Sequence, residues 1–144
     1  MIEKFDGKYR FLSNFFGETF TFEGRVWKSV EHAYQAYKFF PNEEMMDRIA
    51  NAPTASMAKK LGKQKGIRSD WDECKIDIMT KLVRRKFESS YYLRSLLIKT
   101  NDEELVEGNW WGDTFWGKCY GNGENHLGKI LMKIRDEIKE SQLK

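Results

Sequence analysis

A mainly helical domain with a small β element near its N-terminus is the fold class this sequence predicts, and three observations predict it. Apolar residues recur at helical spacing over several segments. Capping residues and breakers stand at the ends of those segments. Only one short stretch, around residues 19–27, alternates polar and apolar residues as a strand does. The chain has 144 residues, which fits one domain with a core large enough to fold alone. A single domain over 1–144, with its core at about 5–138, is therefore expected.

The elements follow in order. Residues 8–28 read as short strands: Thr19-Phe20-Thr21-Phe22 alternates, Glu23-Gly24 turns and Arg25-Val26-Trp27 returns. Ser29 offers an N-cap, and Val30 to Phe40 reads as a helix stopped at Pro41. Helices over Glu43 to Ala50 and Thr54 to Leu61 are punctuated by Pro53 and Gly62. Ser69-Asp70-Trp71-Asp72 has the form of a capping box with Asp in place of Glu. The helix it starts runs to about Phe87, with Ile78, Met79, Leu82 and Lys86 at core spacing. Tyr91 to Ile98 is a further helix, whereas residues 104–124 keep no regular period. Asn125 can cap the last helix, whose stripe is Leu127, Ile130, Leu131, Ile134 and Ile138, and Glu140 to Lys144 read as a frayed tail.

Composition removes several function classes. No apolar run reaches the roughly eighteen residues of a membrane span, and Met1-Ile2-Glu3-Lys4-Phe5-Asp6 has no apolar signal core. A cytoplasmic protein without a membrane partner is expected. Cys74 and Cys119 lie outside any CxxC spacing and read as free, reduced thiols. With His32 and His126 as the two histidines, no metal site is expected. His126, near a helix start, reads as a surface or capping residue. There is no Walker loop, no GxGxxG opening a helix and no GxSxG elbow, so no cofactor is expected either. The net charge of +3 is small; Lys and Arg read as spread along the chain, and the densest run, Arg84-Arg85-Lys86, reads as a solvated helix face. The aromatic share of 15% is high, and the rings bunch beside polar residues, as in a site that holds a planar base and a sugar.

Three clusters can carry chemistry. On the helix Ser29-Val30-Glu31-His32-Ala33-Tyr34-Gln35-Ala36-Tyr37-Lys38, residues Glu31, Gln35 and Lys38 share a stripe, with Tyr34 beside them. That stripe reads either as a solvent-facing surface or as a carboxylate acid–base paired with a reactive amine. The loop Glu107-Gly108-Asn109-Trp110-Trp111-Gly112-Asp113-Thr114-Phe115-Trp116-Gly117 reads as an aromatic binding wall or as a plug over the core. In Tyr9-Arg10-Phe11-Leu12-Ser13-Asn14-Phe15-Phe16, the trio Arg10, Ser13 and Asn14 can hold a phosphate or ribose hydroxyls, or simply end a strand with a polar turn.

These strings, with Trp71, Met79, Lys86-Phe87, Leu105-Val106-Glu107 and Asn125-His126-Leu127-Gly128-Lys129-Ile130-Leu131-Met132, resemble the NADAR family, also called YbiA-like. The resemblance runs from about residue 5 to 138. It implies a YbiA-like single domain and an N-glycosidase that cuts base–ribose links. Some members act on phosphorylated ribosylamino intermediates of riboflavin synthesis, and others remove ADP-ribose from guanine bases. By the same resemblance Glu31, Trp71, Asp113 and Trp116 match active-site positions, and Lys38 matches a lysine proposed in part of the family to form a Schiff base with opened ribose. Trp110-Trp111 before Gly112-Asp113 departs from the commoner pattern of that loop.

Together these readings give a working expectation: hydrolysis of the N-glycosidic bond of a phospho- or ADP-ribosylated, nucleotide-like small molecule, or of an ADP-ribosylated base within nucleic acid. Glu31, Asp113 and Lys38 are the expected catalytic groups. Arg10, Ser13, Asn14, Tyr34, Trp71, Trp110 and Trp116 are expected to bind substrate. Two other readings stand beside it. A non-catalytic binder of NAD or ADP-ribose keeps the stacking loop without needing the Glu31–Lys38 stripe, and a single-stranded nucleic-acid module would stack bases on Trp110, Trp111 and Trp116.

Overall fold

The computed structural model describes residues 1–142 and divides them into two compact units. One is the continuous segment Asn14–Ser89; the other is built from both chain ends, Met1–Ser13 and the described residues from Ser90 onward. No described helix is long and apolar enough to cross a membrane.

In the continuous unit, β1 (Phe20–Phe22) pairs antiparallel with β2 (Arg25–Trp27), Phe20 opposite Trp27. The turn between them, Glu23-Gly24, has φ of 49° and 79°. Positive φ at both central residues gives the primed turn whose twist matches a hairpin. Four helices follow: α1 (Val30–Tyr37), α2 (Glu43–Ala50), α3 (Ala55–Leu61) and α4 (Trp71–Glu88). The first three start on side chains that accept from the backbone three residues on, Ser29, Asn42 and Thr54.

The expected capping box at α4 does not form. Asp70 precedes Trp71 without a side-chain cap, because its carboxylate instead takes both arms of Arg68, at 2.7 and 2.9 Å. The solvated reading of Arg84-Arg85-Lys86 also fails at its last member. Arg85 is exposed and donates to Thr21 O at 2.9 Å, while Lys86 shares the inner face of α4 with Met79, Leu82 and Val83 and is 2% exposed.

α1 organises this unit. Helices α2, α3 and α4 and strand β2 all pack on it, and all eight of its residues are buried. A surface helix buries one stripe; this one is covered on every side, so its polar residues are inside the unit.

In the unit of the two chain ends, the segment Gly7–Leu12 is a 3-10 helix and not the expected strand. Tyr9 N donates to Asp6 O at 2.9 Å and Ser13 N to Arg10 O at 3.0 Å, the i→i+3 bonds of that turn. α5 (Tyr91–Ile98) and α6 (His126–Gln142) pack together. Leu127, Ile130, Leu131 and Ile134 of α6 are buried. The helix continues through Glu140 to Gln142, where a frayed tail was expected; Leu143 and Lys144, the rest of that tail, lie outside the described residues. The loop that keeps no period contains one two-residue parallel pair, β3 (Gly108–Asn109) with β4 (Lys118–Cys119).

Asn125 does not cap α6 with its side chain. Its Oδ1 accepts from Glu107 N at 3.0 Å and its Nδ2 donates to Leu105 O at 2.9 Å, tying residues 105–107 to the start of the helix. Gly128, one turn on, lies so close to this strap that a Cβ would stand 2.1 Å from Leu105 O. His126 is half-buried rather than a surface or capping residue, its ring 4.5 Å from that of Phe115.

Candidate active site

The Glu31 stripe is inside the molecule. Glu31 is 7% exposed, Gln35 4% and Tyr34 7%, which rules out the solvent-facing reading. Burying a carboxylate and an amide on a short helix costs free energy unless each finds partners. Here they partner each other: Gln35 Nε2 donates to Glu31 Oε2 at 2.6 Å. The backbone N–H of Glu31, one of the orphan donors of a first helical turn, donates to Asn14 O at 3.0 Å. Asn14 is itself buried, its amide against Met79 Sδ at 3.4 Å.

His32, the next residue, is held between Ser29 Oγ (2.7 Å from Nδ1) and Ala52 O (3.0 Å from Nε2). Burial lowers its pKa, so the ring is neutral, with Nε2 donating to the carbonyl and Nδ1 accepting from the hydroxyl. This histidine secures the helix and leaves no nitrogen for a metal. Among the described residues no group of three His, Cys, Asp or Glu side chains is arranged to hold one.

Gln35 was part of the stripe in the sequence but was not singled out. Its Oε1 is buried and without a hydrogen-bond partner, and it lies against Gly62, the C-cap of α3: a Cβ there would stand 1.8 Å from Oε1. The absence of a side chain at Gly62 thus leaves the space that the amide fills with its nitrogen toward Glu31. No local sequence signal marks this contact.

Lys38 follows α1 as its C-cap. Its Nζ lies 5.7 Å over the Tyr34 ring and 3.5 Å from Gly62 O. Burial lowers its pKa; Glu31 opposes that shift, while Lys59, Lys63 and Lys75 reinforce it. Tyr34 stands against Trp71 with ring centroids 5.1 Å apart, and Trp71 is 8% exposed. A carboxylate, an amine with a lowered pKa and an aromatic wall therefore meet on one face of α1. Lys86, also in this unit, is on the sequence reading either a core position or the end of a solvated run. Its Nζ lies 5.6 Å over Phe16 and 5.2 Å over Phe87, and burial drives its pKa down to about 7.

A separate cavity of about 280 Å³ is lined by Glu23, Arg25, Tyr37, Phe40 and Met46 among others. Its polar groups already bond to one another, Tyr37 to Glu23 and Arg25 to Glu43 and Asp47. We place the candidate chemistry on the Glu31 face instead.

The remaining expected site residues, Arg10, Ser13, Trp110, Asp113 and Trp116, belong to the other unit. Asp113 Oδ1 accepts from Phe115 N at 3.1 Å and Trp116 N at 2.9 Å, a local turn typical of aspartate. Asn109 closes the loop from within, accepting from Asp113 N at 3.0 Å and donating to Asp113 O at 2.9 Å. The loop is thereby a fixed frame for its rings. Trp116 is half-buried against Phe115, centroids 4.8 Å apart. Trp110 and Trp111 meet edge to face at 5.7 Å and are largely exposed. Arg10 is exposed at the end of the 3-10 helix, and Ser13 is its C-cap.

A family model described as the NADAR domain matches residues 2–139. An N-glycosidase of Nostoc punctiforme is 41% identical over 137 residues, covering 91% of this chain and 86% of that one. The N-glycosidase YbiA of Escherichia coli is 34% identical over 133 residues, with coverage of 90% and 82%. A riboflavin biosynthesis protein of Vibrio vulnificus is 37% identical over 138 residues; this chain spans only 37% of its length. Among solved structures, the NMR structure of E. coli YbiA matches with a TM-score of 0.86 and 30% identity, covering all of this chain and 90% of that one.

Proposed function

The chain belongs to the NADAR family, and from that premise we propose that it hydrolyses the N-glycosidic bond between a base and a phospho- or ADP-ribosylated ribose. The observation that carries the proposal is the buried Glu31–Gln35 pair beside Lys38 and the Tyr34–Trp71 wall. Its support from relatives is that two proteins matched over most of their length are named N-glycosidases.

Cleavage of such a bond develops positive charge at the anomeric carbon. The C1′–N bond breaks, the base leaves with the electron pair and takes a proton, and water supplies the oxygen that replaces it. A carboxylate fixed by Gln35, on a backbone held at Glu31 N by the Asn14 carbonyl, is pre-organised against that charge. Glu31 is our candidate for this role. Asp113 is our candidate for the second carboxylate, which protonates the departing base. Tyr34 and Trp71 offer rings for the substrate to stack on, and the framed rings Trp110 and Trp116 are the corresponding candidates in the loop.

Lys38 supplies a covalent variant of the same reaction. Ring opening leaves C1′ doubly bonded to the base nitrogen, and the neutral Lys38 amine adds to that carbon. The base amine leaves with a proton from the lysine, and water then hydrolyses the lysine imine to release the ribose as its aldehyde. A pKa lowered by burial and by neighbouring cations raises the neutral fraction available for it. Wild type and Glu31→Gln, given ADP-ribosylated guanosine or a phosphorylated ribosylamino-pyrimidine, would be followed by mass for free base. Release by wild type alone is expected; equal release by Glu31→Gln removes Glu31 from the reaction, and no release from either compound by wild type overturns the proposal. Borohydride added during turnover should fix a ribose adduct on Lys38; turnover without any adduct leaves the direct route.

A further inference from the structure

From Asn51 to Ser69 the chain carries Lys59, Lys60, Lys63, Lys65 and Arg68 and no Asp or Glu. The unit Asn14–Ser89 has 14 Lys and Arg against 11 Asp and Glu, and the other unit has 11 of each. The chain's whole net charge of +3 therefore sits in the unit that holds Glu31 and Lys38. Arg68 is neutralised by Asp70 at 2.7 Å. Lys60, Lys63 and Lys65 have no carboxylate within ion-pair distance among the described residues, and all three are exposed.

This run is folded against the Glu31 face. α3 packs on α1, Gly62 abuts the Gln35 amide, and Arg68 N donates to Lys38 O at 2.8 Å. Lys59 and Lys63 act on the Lys38 ammonium as like charges. Cations gathered around a half-buried amine repel one another, and an anion entering among them is attracted by all of them together.

We propose that Lys59 and Lys63, at the end of α3 and in the loop after it, form an anion subsite beside Lys38 that takes the phosphate group of the substrate. The inference rests on the glycosidase reading above and assigns the phosphate anchor to these lysines rather than to Arg10, Ser13 and Asn14. Lysine is a compact point charge that binds phosphate without a demanding geometry, which suits an exposed loop. Placed there, the phosphate anchors the end of the substrate remote from the bond to be cut, so its binding energy can be used at the reacting carbon.

Calorimetric titration with ribose 5-phosphate, and separately with ribose, tests this. Wild type should prefer the phosphate ester by about a hundredfold, a preference that weakens as salt rises. Lys59→Gln with Lys63→Gln should cut that preference by about tenfold for each lysine. Lys63 is exposed and Lys59 is half-buried with its Nζ 5.9 Å over the Phe15 ring, so the melting temperature should stay within a few degrees of wild type. Lys81→Gln, which removes an exposed cation paired with Asp77 at 3.1 Å, is the control and should keep the preference. The subsite is overturned if wild type binds ribose and ribose 5-phosphate alike. It is equally overturned if the double variant keeps the preference or if Arg10→Gln alone abolishes it. A plain single-stranded oligonucleotide that binds more tightly than ribose 5-phosphate, and loses this in the double variant, also overturns it in favour of a nucleic-acid backbone site. The titrations need no turnover: the predicted preference without any base release would sink the glycosidase reading alone, and turnover with binding indifferent to phosphate would sink the subsite alone.

Discussion

Gly62→Ala should damage the reaction far more than the fold. Gly62 has φ of −68°, where alanine is at ease. A methyl there would nevertheless stand 1.8 Å from Gln35 Oε1 and 2.7 Å from Gln35 Cδ. Contacts of that length are impossible, so the end of the Gln35 side chain must swing away, and the 2.6 Å bond to Glu31 goes with it. Hydrogen bonds to a charged group contribute about 1.5–3 kcal/mol, which is about ten- to a hundredfold in kcat/KM if Glu31 is needed in that position. Glycine to alanine also stiffens the unfolded chain, stabilising by about 0.4–1 kcal/mol, so the net loss of stability should be about 0.5–2.6 kcal/mol, which leaves the protein folded.

The assay pairs urea unfolding with turnover for Gly62→Ala, Gln35→Ala and the double variant. Once Gln35 is truncated, the new methyl has space, so the double variant should be no slower than Gln35→Ala by itself. That non-additivity is the signature of a single shared contact. Gly17→Ala, where a Cβ meets nothing within 4 Å, should match wild type. A folded Gly62→Ala with wild-type turnover, or losses that simply multiply in the double variant, would refute the need for that space beside Gln35.

Other perturbations separate stability from chemistry. Lys86 has its pKa lowered by burial to about 7, against about 10.4 in an unfolded chain; between those values the unfolded state binds more protons, so stability should rise with pH from about 7 toward 10, by at most about 1.4 kcal/mol per pH unit. Lys86→Met should flatten that slope and match or exceed wild-type stability near neutral pH, as read by denaturant midpoints across the range; a slope unchanged in the variant would assign it elsewhere. Gly128→Ala drives a Cβ to 2.1 Å from a backbone oxygen that cannot swing aside, and should cost about 1–3 kcal/mol in unfolding free energy. Asp113→Asn keeps an oxygen to accept from Phe115 and Trp116, so near-ultraviolet circular dichroism should hold while base release falls; full turnover would reduce Asp113 to a loop tie.

How much of this was legible in the sequence depends on the range of the contact involved. Ser29, Asn42, Thr54 and Ser90 each accept from a backbone N–H three residues on, so the helix starts follow from neighbours in the chain. The Glu23-Gly24 hairpin is local in the same way. Asn125 misleads because its side chain reaches back 18 and 20 residues to Glu107 and Leu105. Asp70 misleads because Arg68 competes for its carboxylate. The lysines of 59–65 pass as part of a charge spread along the chain, and their bearing on Lys38 appears only once α3 is packed on α1.

The Glu31 stripe shows why a periodic pattern left the main question open. Glu31, Gln35 and Lys38 have the spacing of a solvated helix face, and that reading assumes one side of the helix meets water. α1 has no such side, because β2, α2, α3 and α4 enclose it. Once enclosed, the stripe cannot be surface decoration. A purely structural helix in that position would be more stable with apolar residues, since a buried polar pair contributes less than well-packed hydrocarbon of the same volume. The substitution Glu31→Leu with Gln35→Leu should therefore leave the unit folded, and even stabilise it, while ending turnover. Polar groups kept where packing alone would exclude them are what the role in base release proposed for Glu31 requires.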